Sequence, residues 1–329
     1  MKGSRSRLVK SGVKLLKWVI TVVVLIAIGA QLRHVLRDFR EQGARFDFQT
    51  PWFILSMVLY LVGLTCQGIF FQRILMRGTT PVGLIPSVRA YLIGHLGKYV
   101  PGKAMVVLVR VGLIVPFGAR ASTAAIATFY ETLVMMASGS LLALLGFLCS
   151  TPWNGLGLAA SLGFLGLFLA IVIPPVFPRV TRWFSSPFPA VGTDAIPRID
   201  SRLLLEGLAL GLAGWILLGL SQIAVMATLG LGATCGKAWP LTLAGVSLAT
   251  VAGFTVAVLP GGLGIREWVL LTTITPSHGR DVAVVSALLL RLSWLLAELL
   301  AAGALLGLRP RPVHSAEPTT LDTQEPTAS

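Results

Sequence analysis

Leu259-Pro260-Gly261-Gly262-Leu263-Gly264-Ile265-Arg266-Glu267 interrupts a long apolar region, with Leu241 to Val258 before it and Trp268 to Ile274 after it. A proline followed by paired glycines breaks a helix. Two adjacent charges then stand where hydrocarbon-compatible residues are expected. Broken backbone at membrane depth survives only where protein or a water-filled cavity covers it, and an Arg-Glu pair at that depth marks a functional site by default. A second interruption, Gly97-Lys98-Tyr99-Val100-Pro101-Gly102-Lys103, occurs earlier in the chain. The helix breaks are therefore assigned to Pro101 and Gly102 in the first region and to Pro260, Gly261, Gly262 and Gly264 in the second.

Composition sets the medium. Of 329 residues, 55% are hydrophobic and 12% charged, with a mean hydropathy of +0.82, against roughly 25% charged residues in soluble domains. The chain reads as an all-α, polytopic integral membrane protein. Three cysteines, Cys66, Cys149 and Cys235, show no Cys-x-x-Cys spacing, and four histidines show no metal-ligand spacing, so neither a disulfide framework nor a metal site is expected. The net charge of +14 suits cytoplasmic loops and anionic lipid; without a recognition module, no nucleic acid partner is expected.

Along the chain, residues 1–17 form a basic, cytoplasmic N-terminus and Trp18 to Leu32 an uncleaved first span. Trp52 to Leu75 is the second span. Ser87 to Val100 and Ala104 to Phe117 are about 14 residues each, reaching roughly 21 Å against a hydrocarbon core of about 30 Å, so they predict a re-entrant pair. Ala121 to Cys149 and Leu156 to Ile173 are full spans, and residues 176–202 a proline- and arginine-rich linker. Leu203 to Leu229 follows, then the second broken region, whose first arm is long enough either to span or to re-enter. Asp281 to Leu308 is the last of about six spans, and residues 309–329 form a polar tail expected to be disordered.

Pro101-Gly102 aligns with Pro260-Gly261 at an offset of 159, and Arg120 with Arg280 at 160. The near-equal offsets predict a repeat of 51–149 in 203–308. If each broken region returns to the side it entered, 15 basic residues fall on the cytoplasmic side and six outside, as the positive-inside rule asks. The halves are then inverted, an arrangement that places a substrate site at mid-membrane beside broken helices. At the 160 offset Glu131 falls on Arg291, which predicts a central ion pair.

Charges inside apolar territory cost on the order of 3 kcal/mol each. Arg89 and Glu206 lie near segment ends and can snorkel. Lys98, Lys103 and Arg110 cluster around the first break without a nearby acid, and with Arg266 they form a candidate anion or headgroup site. Glu131, Glu267, Arg291 and Glu298 are candidates for a gate or a coupling site, with Glu131 and Glu298 the candidates for protonation. The small-residue patterns at Gly207/Gly211 and Gly303/Gly307 carry little information among 35 glycines. Gly261-Gly262-Leu263-Gly264 lacks the Lys-Ser/Thr of a phosphate loop, and no nucleophile motif is present. No cofactor and no enzymatic activity are expected.

These two signatures, with Arg110, Glu131 and Arg291, resemble the lysylphosphatidylglycerol synthase transmembrane family, a flippase-like domain. The resemblance covers most of residues 15–308, and Pro260-Gly261-Gly262-Leu263-Gly264-Ile265-Arg266-Glu267 is its most specific part. It implies translocation of membrane lipids, including aminoacylated phosphatidylglycerol, between leaflets of the cell membrane. In the family pattern an aspartate often follows the helix glutamate by four residues; Met135 stands there, so any role of that acid is absent. No synthase domain is expected after residue 308. Candidate partners are a separate lipid synthase, a glycosyltransferase and a second copy of the chain. The alternatives are a carrier of polyprenyl-phosphate-linked sugars and a non-transporting membrane scaffold for a synthase.

Overall fold

A computed structural model describes residues 48–78, 81–99, 104–150, 155–185, 196–231, 238–255 and 264–308. The basic N-terminus, the first span, the breaks Pro101-Gly102 and Pro260-Gly261-Gly262, Lys103, Cys235 and the polar tail lie outside the described residues. Ten α-helices and no strand occur among the described residues: α1 (Thr50–Met76), α2 (Leu84–His95), α3 (Ala104–Ile114), α4 (Ala121–Leu148), α5 (Gly155–Val172), α6 (Phe177–Ser185), α7 (Ser201–Thr228), α8 (Trp239–Thr255), α9 (Ile265–His278) and α10 (Arg280–Gly307). Five of them, α1, α4, α5, α7 and α10, are long and apolar enough to cross a bilayer. The protein is an all-α, polytopic membrane protein. Its outer surface carries large apolar side chains such as Ile54, Leu162, Leu205 and Leu300, as a lipid-facing surface requires.

The linker expectation needs one correction. Part of residues 176–202 is helical, because Phe177–Ser185 is strongly amphipathic. Phe177 is buried and meets Tyr130 edge-on with ring centroids 4.7 Å apart. Arginines had masked this periodicity.

The first helices of the two halves, α1 and α7, run antiparallel in contact from end to end. The Gln49 N–H donates to the Thr228 carbonyl (3.0 Å), the Ser56 and Ser221 hydroxyls lie 2.8 Å apart, and Arg77 Nη1 donates to Asp200 (2.7 Å). Between these points a Cβ on Gly63 would meet the Gly214 carbonyl at 3.0 Å, and one on Gly207 would overlap the Phe70 ring at 2.2 Å. The contacts recur every seven residues on both helices, the spacing of a coiled-coil seam. Gly207 and Gly211 are thus packing residues, the second against Ser138; Gly303 and Gly307 have open space.

Both broken pairs are hairpins. In the first, a Cβ on Gly97 would strike the Val106 backbone at 2.6 Å, so α2 and α3 close on each other beside the break. Gly78 meets Thr123, so the pair starts and finishes at one end of the bundle. In the second, α8 starts beside Gly146, whose Cβ would lie 2.6 Å from the Pro240 carbonyl, and α9 hands over to α10 at Gly279. Helix α10 then runs to the opposite end, where Arg89 Nε donates to the Leu305 carbonyl (2.9 Å). The second region is therefore re-entrant, like the first, and enters from the opposite end. Among the described residues Arg73, Arg77, Arg89, Arg120, Arg179, Arg182, Arg198 and Arg202, with Asp200 and Glu206, gather at one end of the bundle. Arg280 and Asp281 stand at the other.

Candidate functional site

Two polar clusters lie inside the helical bundle. In the first, Arg110 of α3 and Glu131 of α4 are 2% and 1% exposed. Arg110 Nη1 donates to Glu131 Oε2 (3.0 Å). The Tyr91 hydroxyl of α2 lies 2.9 Å from both Glu131 Oε1 and Gln67 Oε1. The Arg110 guanidinium carbon sits 3.8 Å above the Tyr91 ring, and Gly94 makes room for its side chain, since a Cβ there would fall 2.4 Å from Cγ. Every face of Arg110 meets protein.

The second cluster surrounds Glu298 of α10. Lys98 Nζ donates to Glu298 Oε1 (2.5 Å), the Tyr60 hydroxyl donates to the same oxygen, and His95 Nε2 stands 3.7 Å from it. Glu298 Oε2 is buried and has no assigned hydrogen-bond partner among the described residues. His95 stacks on Tyr91 with ring centroids 6.1 Å apart, so the two clusters are continuous through the middle of the bundle.

Beside Glu298 lies a small cleft of about 20 Å³, lined by Lys98, Tyr99, Arg266, Arg291 and Trp294. The local chain explains each wall. The 3₁₀ turn Leu96–Tyr99 carries Lys98 on the approach to the first break. Gly264, at φ +85°, turns the chain into α9 in a conformation that favours glycine. Its N–H donates to Glu267 Oε2 (2.8 Å), which caps the helix and fixes Arg266 one residue away. Glu267 Oε1 accepts from Arg291 Nη1 (2.5 Å). Arg266 lies over the Trp294 indole, 5.1 Å from its centroid, and has no carboxylate within ion-pair distance among the described residues.

Two expectations change. Glu131 and Arg291 do not pair; each turns to the second arm of its own hairpin, Glu131 to Arg110 and Arg291 to Glu267. Lys98 and Arg110 do not share a site: Lys98 reaches the cleft, while Arg110, beyond the break on α3, is spent on Glu131. Lys98 also has an acid, Glu298, two hundred residues away in sequence. The other expected residues, Arg266, Glu267, Arg291 and Glu298, come together around the cleft. Sequence reading passed over Tyr60, Tyr91, His95, Tyr99 and Trp294. The signal available was positional: Trp294 lies three residues after Arg291 and Tyr60 four after Ser56, each on one helix face.

Fold and site together define a membrane protein with two inverted broken hairpins and a charged cleft in its interior. No family model, curated protein or solved structure matches this chain.

Proposed function

We propose that this protein is a lipid translocase, not an enzyme, which passes a phospholipid headgroup between leaflets through the cleft of Lys98, Arg266 and Arg291. One observation supports the reading above all: the Lys98 turn of the first hairpin and the Arg266 end of the second, from opposite halves, line one cleft. Discontinuous helices meeting at mid-membrane are the usual setting of a transport site. The cations suit a phosphate, and Arg can grip it with two parallel hydrogen bonds. The lipid-facing exterior lets acyl chains stay in the bilayer while the headgroup moves through protein. We place the arginine-rich end in the cytoplasm of a cell membrane.

The test is headgroup movement in proteoliposomes containing fluorescent phospholipids, with an external quencher reporting the inner-leaflet fraction. The wild type should equilibrate the leaflets. Lys98→Ala and Arg266→Ala proteins that still fold should slow it about tenfold or more, a barrier increase of about 1.4 kcal/mol. Empty-liposome rates with the wild type would end this reading. Orientation is tested by impermeant thiol labelling of intact cells in a protein with Cys66, Cys149 and Cys235 replaced by serine, where Arg280→Cys should react and Arg198→Cys should not.

A further inference from the structure

The charges around the cleft do not balance. Lys98 is neutralised by Glu298 at 2.5 Å and Arg291 by Glu267 at 2.5 Å. Arg266 lines the same cleft but meets an indole, and an aromatic face attracts a cation without cancelling its charge. Among the described residues, three cations thus face two carboxylates. Counted over the described residues, the site holds one net positive charge in surroundings where a net charge is costly, and Arg266 makes no hydrogen bond to a described residue. Glu267 pairs with Arg291 and caps its helix through the Gly264 N–H, and among the described residues it forms no ion pair with Arg266.

We infer that the cleft selects a headgroup with one net negative charge, a monoanionic phosphodiester, and that Arg266 is the residue that sets this choice. The inference rests on the translocase reading and narrows its substrate. A phosphodiester bearing a neutral alcohol brings the site to neutrality. A zwitterionic headgroup leaves the positive charge in place. A lysyl ester, with two ammonium groups to one phosphate, raises it. A phosphomonoester, at about −1.5 to −2 near pH 7, overshoots in the other direction. Trp294 backs one face of the guanidinium, and the planar fork of Arg266 can offer paired N–H donors to two phosphate oxygens.

The experiment measures binding and movement separately. Binding is read in detergent from the thermal stabilisation produced by phosphatidylglycerol, phosphatidylethanolamine, lysyl-phosphatidylglycerol and phosphatidic acid with matched acyl chains. For the wild type, phosphatidylglycerol should bind about tenfold tighter than either the zwitterionic or the lysylated lipid. Arg266→Gln should remove that preference and Arg266→Lys should keep it. Equal affinities, tighter binding of the lysylated lipid, or an unchanged preference in a folded Arg266→Gln protein overturns the inference. The wild-type ranking alone decides if the variants do not fold. Proteoliposomes separate the two claims. Movement without headgroup preference sinks the charge selection and keeps the translocase. Selective binding without movement keeps the charge selection and sinks the translocase.

Discussion

Glu131 and Arg291 hold matching places on the last helices of the two halves with opposite charges, and each is neutralised within its own half. Glu131 meets Arg110 at 3.0 Å and Arg291 meets Glu267 at 2.5 Å. Their surroundings differ. Arg110 and Glu131 have side chains 2% and 1% exposed, Arg291 and Glu267 16% and 25%. The same device is sealed in one half and open to the cleft in the other.

The sealed pair should behave as a structural one. Removing one partner leaves a desolvated charge, so Arg110→Met or Glu131→Leu alone should cost about 3–5 kcal/mol, while the double apolar replacement should recover most of that. Thermal unfolding in detergent of the two singles and the double gives the coupling. A double variant as unstable as the worse single would show that the pair is not the unit that matters.

The pair at the cleft should separate stability from transport. Lys98→Ala leaves Glu298 buried, 1% exposed, without its cation, and should lower the melting temperature. Adding Glu298→Gln should restore the melting temperature, because the uncompensated charge is gone, yet leave headgroup movement slow. Recovery of both properties in the double variant would place Lys98 outside the transport site.

Close helix contacts make glycine substitutions unequal. A Cβ on Gly139 would lie 2.6 Å from the Trp215 indole, and one on Gly303 meets nothing within 4 Å. Gly139→Ala should therefore cost about 1–3 kcal/mol by overpacking. Gly303→Ala should be neutral or stabilising by about 0.5–1 kcal/mol through reduced backbone entropy. Melting temperatures of the two variants, measured side by side, check the order.

Asp200 predicts an acid-sensitive stability outside the spans. The Leu203 N–H and then Arg77 hold its carboxyl below the usual carboxylate range. A depressed folded-state pKa gives stability that is present above the unfolded value, about 3.9, and is lost as pH falls through the folded value. Asp200→Asn keeps an oxygen for the helix cap and loses the titration. The melting-temperature difference between wild type and variant should be steady from pH 7 to about 5 and shrink below about 4. A difference that stays constant to pH 3 would contradict the assignment.

The helices were legible because hydrocarbon demands length and apolarity. Trp52 to Leu75 became Thr50–Met76, and Ala121 to Cys149 became Ala121–Leu148. The two re-entrant arms of the first hairpin followed from their shortness. Partner choice was not legible. A sequence offset puts Glu131 opposite Arg291, but which neighbour a buried charge faces depends on helix rotation and on how each hairpin folds back. Lys98 and Arg110, twelve residues apart, end on different sides of one break for that reason. Helix α6 was hidden because Arg179 and Arg182 made a short amphipathic segment read as loop.

The seam of α1 and α7 fixes what in this molecule is free to move. Its five meeting points, from Gln49 with Thr228 to Arg77 with Asp200, must all shift together if either helix slides. A displacement by one residue would drive Phe70 off the notch at Gly207. The pair is a keel running from one face of the bilayer to the other. If a headgroup crosses as proposed, the rearrangement that carries it falls to the two hairpins, which enter the bundle from opposite ends and are not part of this seam.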